Sequence, residues 1–229
     1  MKIALFGGSF NPIHAGHLKL SHAVLEELHY QKVIFMPTFI SPFKIEDKEM
    51  ASPIDRLKMV QMAIEDEEGC ECSSYEIEKE APSFTINTVQ HLYSIYENNS
   101  REKIEGKLGL IIGSDQLRQF KKWKDYKKIL ELCELIVARR RQEMKTGTLD
   151  ESLNEENEIS EDNEAFEEID FKFTLLKASI TAISSTTIRS TIRKEKNWKE
   201  QLTAEILNEK VAAHMEEKAL YDSTFWSGF

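Results

Sequence analysis

Short apolar runs alternate with amphipathic stretches along almost the whole chain, and this rhythm restricts the fold more than any other feature. Residues 2–6 read as a buried strand, and 17–29 as a helix carrying Leu18, Leu20, Val24, Leu25 and Leu28 on or near one face. Residues 33–36 form a second apolar run ending at Pro37. Ser52-Pro53 has the form of a helix cap with proline at the first helical position, opening a helix that runs to Ile64. Moderate alternation over 71–77 predicts a third strand, and 85–96 a helix with the stripe Ile86, Val89, Leu92, Tyr93 and Tyr96. Residues 108–112 are a further buried strand. Short helices follow around 116–121 and 125–132, then strands at 134–138 and 171–176. The last region predicts helices over 185–193 and 198–217. Such alternation implies an α/β fold: a doubly wound, Rossmann-like, mostly parallel sheet with helices on both faces and a C-terminal helical part.

One stretch breaks the rhythm. Residues 142–168 are rich in Glu, Asp, Asn and Ser and lack an apolar stripe, which predicts a disordered or loosely helical insertion in a single domain spanning 1–221, followed by a short tail at 222–229. The same stretch explains the charge. The 229-residue chain has a formal net charge of −10, yet eleven acidic residues and no Lys or Arg fall between Asp150 and Asp170. Without them the chain is near neutral, and a basic cluster lies just upstream: Lys121, Lys122, Lys124, Lys127, Lys128, Arg139, Arg140 and Arg141. Net charge therefore does not exclude an anionic ligand. Carboxylates in that number would repel such a ligand, so the insertion is expected to form a solvated lobe away from the site. Three cysteines cannot build a disulfide framework, and a reduced, cytoplasmic protein is expected. No apolar run approaches the roughly 18–20 residues of a membrane span, and no secretory signal is expected. Few aromatics interleave the lysines of 121–128, so neither membrane nor nucleic acid is an expected partner.

The chemistry is concentrated in residues 7–17, Gly7-Gly8-Ser9-Phe10-Asn11-Pro12-Ile13-His14-Ala15-Gly16-His17. They join the first strand to the first helix. Glycines let the backbone approach an anion, the helix start offers unpaired N–H groups and a positive dipole end, and two imidazoles add donors. Neither G-x-x-x-x-G-K-[ST] nor G-x-G-x-x-G stands there, which disfavours a P-loop NTPase or an ordinary dinucleotide dehydrogenase. A zinc site at His14 and His17 lacks a third ligand nearby in sequence. The second concentration is Ile183-Ser184-Ser185-Thr186-Thr187-Ile188-Arg189: hydroxyl residues opening a helix, with Arg189 one turn in as a charged fork.

Together these stretches resemble the signatures of the HxGH nucleotidyltransferase superfamily. Pro42-Phe43-Lys44, Arg56-Leu57-Lys58-Met59, the run from Ala81 to Thr88, Ile111-Ile112-Gly113-Ser114-Asp115, Trp123 with Tyr126, and Val137-Ala138-Arg139-Arg140 resemble, within it, the nicotinate-nucleotide adenylyltransferases. The resemblance implies transfer of AMP from ATP to nicotinate mononucleotide in NAD biosynthesis, with pyrophosphate released. It implies Mg²⁺ bridged by the ATP phosphates rather than held by side chains. It assigns ATP to Gly7, Gly8, Ser9, Phe10, His14, Gly16, His17, Gly113, Ser184, Ser185, Thr186 and Arg189. Catalysis falls to His14, His17, Lys44 and Arg189, and nicotinate mononucleotide to Lys44, Thr85, Asp115, Trp123 and Arg139. Two departures stand out: Phe43 replaces the family's usual histidine, and Lys218-Ala219-Leu220-Tyr221 replaces a Gly-Leu-Tyr ending.

The residues supply their own reasons. A helix start at Thr85 suits a carboxylate, and Trp123 suits either a stack on a pyridinium ring or ordinary core packing. A phosphate nucleophile, with a second pKa of about 6, is largely dianionic at neutral pH and needs no general base. His14 and His17 are therefore expected to act as electrostatic donors. The rivals are a related enzyme acting on nicotinamide mononucleotide or phosphopantetheine, and a nucleotide-binding regulator without catalysis. Cys70 and Cys72 are expected to face opposite sides of a strand, and His22, His29, His91 and His214 to be surface or satisfied helix residues. Phe225, Trp226 and Phe229 suit packing on the body or on a second copy, which leaves a homo-oligomer open.

Overall fold

A computed structural model describes residues 1–42, 49–97, 102–138, 169–177 and 183–222. The acidic insertion 142–168, Phe43, Lys44, Arg139 and the aromatic tail lie outside them. The centre of the molecule is β1 (Ile3–Gly8), flanked by β2 (Lys32–Pro37) on one side and β4 (Leu108–Gly113) on the other. β3 (Cys70–Cys72) extends the first side, and β5 (Cys133–Ala138) and β6 (Thr174–Leu175) extend the second. The order is β3-β2-β1-β4-β5-β6, and every pairing is parallel. Both faces of the sheet are therefore covered.

The strand period of two separates two cores. Ala4 and Phe6 of β1, with Val33 and Phe35 of β2, meet α1 (Ala15–Glu27), α2 (Pro53–Ile64), α7 (Ser185–Lys194) and α9 (Glu209–Glu217). Ile3 and Leu5, with Leu108, Leu110 and Ile112, meet α4 (Thr85–Glu97) and α6 (Tyr126–Leu132). Ser52 caps α2 by accepting the Asp55 N–H, and Pro53 follows at the first helical position, as the sequence predicts.

Four expectations are corrected. The strand predicted over 71–77 is three residues long, and its second half is the helical turn α3 (Tyr75–Glu78). Ser73 and Ser74 turn the chain there, the Ser74 hydroxyl donating to Glu78. The strand predicted over 171–176 shrinks to β6, which among the described residues pairs with β5 alone, at the sheet edge. The helix predicted over 198–217 breaks into α8 (Trp198–Gln201) and α9. Asn208 recaps the chain by accepting the Lys210 and Val211 N–H groups, and the intervening loop sends the Ile206 carbonyl to the Ala15 N–H. Cys70 and Cys72, two residues apart, share one face of β3 against the same core cluster, as a period of two requires.

Two buried polar groups organise the loops at the C-terminal ends of the strands. Arg56 is fully buried. Its Nε donates to Ala51 O at 3.1 Å, Nη1 to Ser9 O at 2.9 Å and Nη2 to Phe39 O at 2.8 Å. Burial lowers its pKa to about 10, so it stays charged at neutral pH. Glu76 lies under the segment leading into α4, where Oε1 accepts from Thr88 Oγ1 at 2.5 Å. Its Oε2 is buried with no partner among the described residues. Burial pushes this carboxyl above the usual range, against the opposing pull of the Thr88 and Ser83 hydroxyls. Ser83 in turn ties the segment to the chain after β2, donating its N–H to Ile40 O and accepting the Phe39 N–H.

Three outcomes follow. Arg56→Leu leaves three carbonyls without donors and should cost at least about 3 kcal/mol in urea unfolding, since each stranded buried group costs about 1–3 kcal/mol. Glu76 binds its proton more tightly folded than unfolded, so it favours folding in acid and this contribution is lost as pH rises through the raised pKa. The melting temperature of Glu76→Gln should therefore gain on the native protein as pH goes from acid to neutral. Ala219, just past α9, sits at φ 48°, a left-handed conformation ordinarily left to glycine. Ala219→Gly should raise stability by about 1 kcal/mol in the same assay.

Candidate active site

The strand order reverses direction between β1 and β4, and the crevice outside their C-terminal ends is where an open parallel sheet receives a ligand. A cavity of about 380 Å³ lies there. Gly7 and Gly8 come to it from the end of β1, Ser9 and Phe10 from the loop after it, and His14, Gly16 and His17 from the N-cap and first turn of α1. Gly113, Asp115 and Gln116 come from the end of β4, Ala138 from β5, and Ser185, Thr186 and Arg189 from α7. Phe10 holds φ 45°, an uncommon backbone for a bulky residue, and its ring packs on Phe6, Phe35 and His17. A side chain at residue 8 would press on that ring at 3.1 Å, so glycine keeps the floor of the cavity open.

The two histidines cap α1 reciprocally. His14 Nδ1 accepts the Gly16 N–H at 3.2 Å, and His17 Nδ1 accepts the His14 N–H at 3.2 Å. An Nδ1 that accepts must carry its lone pair, so the ring proton of each neutral imidazole sits on Nε2. The ring centroids are 3.8 Å apart. This corrects the expectation of unpaired N–H groups at the helix start. The Ala15 N–H is taken by Ile206 O, that of Gly16 by the His14 ring and that of His17 by His14 O. The backbone donors are spent on capping, and the imidazoles are the donors that line the cavity.

The two signature stretches meet although about 170 residues separate them. Ser185 Oγ donates to Pro12 O at 2.9 Å and Arg189 Nη1 to Asn11 O at 2.8 Å, docking α7 on the loop after β1. Arg189 Nε is buried and has no acceptor among the described residues. Asn11, quoted in the signature without a role, is the hub. Its Oδ1 accepts the Ala51 N–H at 2.9 Å and the Tyr221 hydroxyl at 2.6 Å, and its Nδ2 donates to Glu49 O at 3.1 Å. Tyr221 and Met50 also reach this region unforeseen, because nothing in the spacing of a lone Tyr or Met signals a contact so distant in sequence.

Ser184, Thr85 and Trp123 are not among the residues lining the cavity, and Lys44 and Arg139 lie outside the described residues. Ser184 is the N-cap of α7, accepting the Thr187 N–H. Thr85 is the first residue of α4. Trp123 follows a 3₁₀ turn (Phe120–Lys122) and packs on Phe120 with ring centroids 5.2 Å apart. These two segments face each other, since Lys124 Nζ stands 4.8 Å from the centre of the Phe84 ring. Asp115 curls back over Gly113, where an added Cβ would stand 2.5 Å from its carboxylate, so only glycine admits this approach. Among the described residues no three His, Cys, Asp or Glu side chains converge as metal ligands.

Known proteins resemble this chain in sequence and in fold. The cytidylyltransferase-like family model matches residues 5–191. A probable nicotinate-nucleotide adenylyltransferase of Caldicellulosiruptor bescii is 35% identical over 96% of this chain and 99% of its own length. One from Methylacidiphilum infernorum is 36% identical over 85% of this chain and 81% of its own. Among solved structures, the nicotinic acid mononucleotide adenylyltransferase of Plasmodium falciparum, complexed with NaAD, shares the fold with a TM-score of 0.65 and 17% identity, covering 96% of this chain and 97% of that one. The chain belongs to the nicotinate-nucleotide adenylyltransferases of the cytidylyltransferase-like family.

Proposed function

We propose that this protein transfers AMP from ATP to nicotinate mononucleotide, forming nicotinate adenine dinucleotide and releasing pyrophosphate. The observation that carries the proposal is the pairing, in one cavity, of two imidazoles fixed as Nε2 donors with Arg189, whose buried Nε has no acceptor among the described residues. A guanidinium so placed suits an anion with several oxygens. The names of the relatives supply the acceptor: nicotinate-nucleotide adenylyltransferases at 35–36% identity.

In the reaction an oxygen of the mononucleotide phosphate bonds to the α-phosphorus of ATP, and the bond from that phosphorus to the β-bridging oxygen breaks. The nucleophile is already anionic, so no base is required. The barrier is charge repulsion, and His14 and His17 lower it by donating from Nε2 to the oxygens on which charge develops. Neutral rings of fixed tautomer do this without reorganising. Gly7, Gly8, Ser9, Phe10, Gly16 and Gly113 shape the nucleotide cavity, Ser185, Thr186 and Arg189 take the β- and γ-phosphates, and Ser184 supports them as helix cap. Lys44 adds a second cation. Asp115 takes sugar hydroxyls, while Thr85, Trp123 and Arg139 take the nicotinate side, the first two brought close by the Lys124–Phe84 contact. Mg²⁺ would enter as part of the substrate, with the triphosphate, where it would offset the phosphate charge.

Pyrophosphate release should be measured with ATP and each acceptor in turn. Nicotinate mononucleotide should be preferred over nicotinamide mononucleotide, and phosphopantetheine should give no turnover. His17→Ala, folded by circular dichroism, should lose about 10²–10³-fold in kcat with nicotinate mononucleotide. A variant turning over near the native rate would remove the donor role.

A further inference from the structure

The carboxylate of Glu49 stands beside Arg189 at the edge of the cavity. Arg193, one turn after Arg189 on α7, grips Glu49 with both terminal nitrogens: Nη1 to Oε1, and Nη2 to Oε2 at 2.9 Å. The same Oε2 lies 3.6 Å from Arg189 Nη2. Arg193 Nε also donates to Arg189 O at 3.3 Å, so the two guanidiniums and the carboxylate form one rigid cluster at the edge of the cavity. Asn11 fixes the backbone beneath it, through Nδ2 to Glu49 O. Hydrogen bonding from Arg193 holds the Glu49 carboxyl below the usual carboxylate range, so the negative charge is present at neutral pH.

We infer that Glu49 sets how tightly the triphosphate tail of ATP and the departing pyrophosphate are held, by partly neutralising Arg189, while Arg193 restrains Glu49 from pairing with Arg189 fully. This rests on the reading that Arg189 meets the β- and γ-phosphates. An unopposed Arg189 would bind polyphosphate more tightly and release product more slowly, because the ligand's charge and the carboxylate's act on the same guanidinium.

Two substitutions break the same ion pair yet predict opposite effects. Glu49→Gln removes the competing charge, and the KM for ATP should fall about 3–10-fold, with pyrophosphate inhibiting at correspondingly lower concentration. Arg193→Gln releases Glu49 from its grip and lets it pair more closely with Arg189, and the KM for ATP should rise. The KM for nicotinate mononucleotide should move in neither. A purely structural role for the pair would shift both variants the same way, so that pattern overturns the inference, as does an unchanged or raised KM for ATP in Glu49→Gln. Arg189→Gln separates the two levels. If it raises the KM for ATP and Glu49→Gln does not lower it, the inference alone fails. If Arg189→Gln leaves the KM for ATP unmoved, it is the placement of the phosphates on Arg189 that fails, and the inference with it.

Discussion

A full positive charge at the end of Arg56 lies out of reach of solvent and is held by carbonyl oxygens, among the described residues, with no carboxylate beside it. Carbonyl dipoles satisfy its donors without cancelling its charge. The consequence is mechanical as well as electrostatic. Ser9, Phe39 and Ala51 belong to three separate stretches of chain at the same end of the sheet, and one guanidinium fixes all three. The chain of bonds continues through Ala51, whose N–H goes to Asn11, and from Asn11 to Tyr221 and Arg189. The floor of the cavity, the docking of α7 and the anchoring of the C-terminal segment are thus one buried polar network. Such networks are stabilising only when nearly every member is satisfied, which explains why so many backbone carbonyls are drawn into this one.

Much of this was legible in the sequence. The alternation of apolar runs and helical stripes points to a parallel sheet covered on both faces, because strands and helices that alternate along the chain pack as layers of helix on sheet. Caps are local, so Ser52-Pro53 and the Ser184 hydroxyl before α7 could be read directly. The strand–glycine–histidine run marks the cavity for the same reason: its parts are neighbours in the chain. What escaped was decided by distant partners. A helix over 198–217 has acceptable spacing, yet the loop after Leu202 is held by the start of α1, seen only once Ile206 O meets the Ala15 N–H. The residues after Cys72 have moderate strand alternation, but β3 is an edge strand and two serines turn the chain out of it. Arg56 and Asn11 stand inside quoted motifs, and nothing about their types tells a buried hub from a surface contact.

The use of the helix start shows the same division. Local reasoning says that a helix N-terminus offers free N–H groups to an anion, and here those groups are occupied by His14 and Ile206. The occupation is informative in itself. By accepting backbone N–H groups at Nδ1, both imidazoles are locked in orientation and tautomer. Donors that would have been fixed to the backbone are exchanged for ring donors on side chains lining the cavity. The spacing of the two histidines, three apart, is what a reciprocal cap over the first helical turn requires.

Charge, finally, acts at the scale of the site and not of the chain. Exposed charges more than about 8–10 Å away are screened at physiological salt, whereas Arg56 and Arg189 lie buried against the cavity loops, where screening is weak. A net charge of −10 arising mainly from one acidic stretch therefore says little about the potential that an incoming phosphate meets. The charges that count are those sharing hydrogen-bond partners with the loop after β1: two guanidiniums touching Ser9 and Asn11, and the Glu49 carboxylate two residues before Ala51. Arg193 holds that carboxylate from its other side, so the field at the loop depends on how the carboxylate is shared between two guanidiniums.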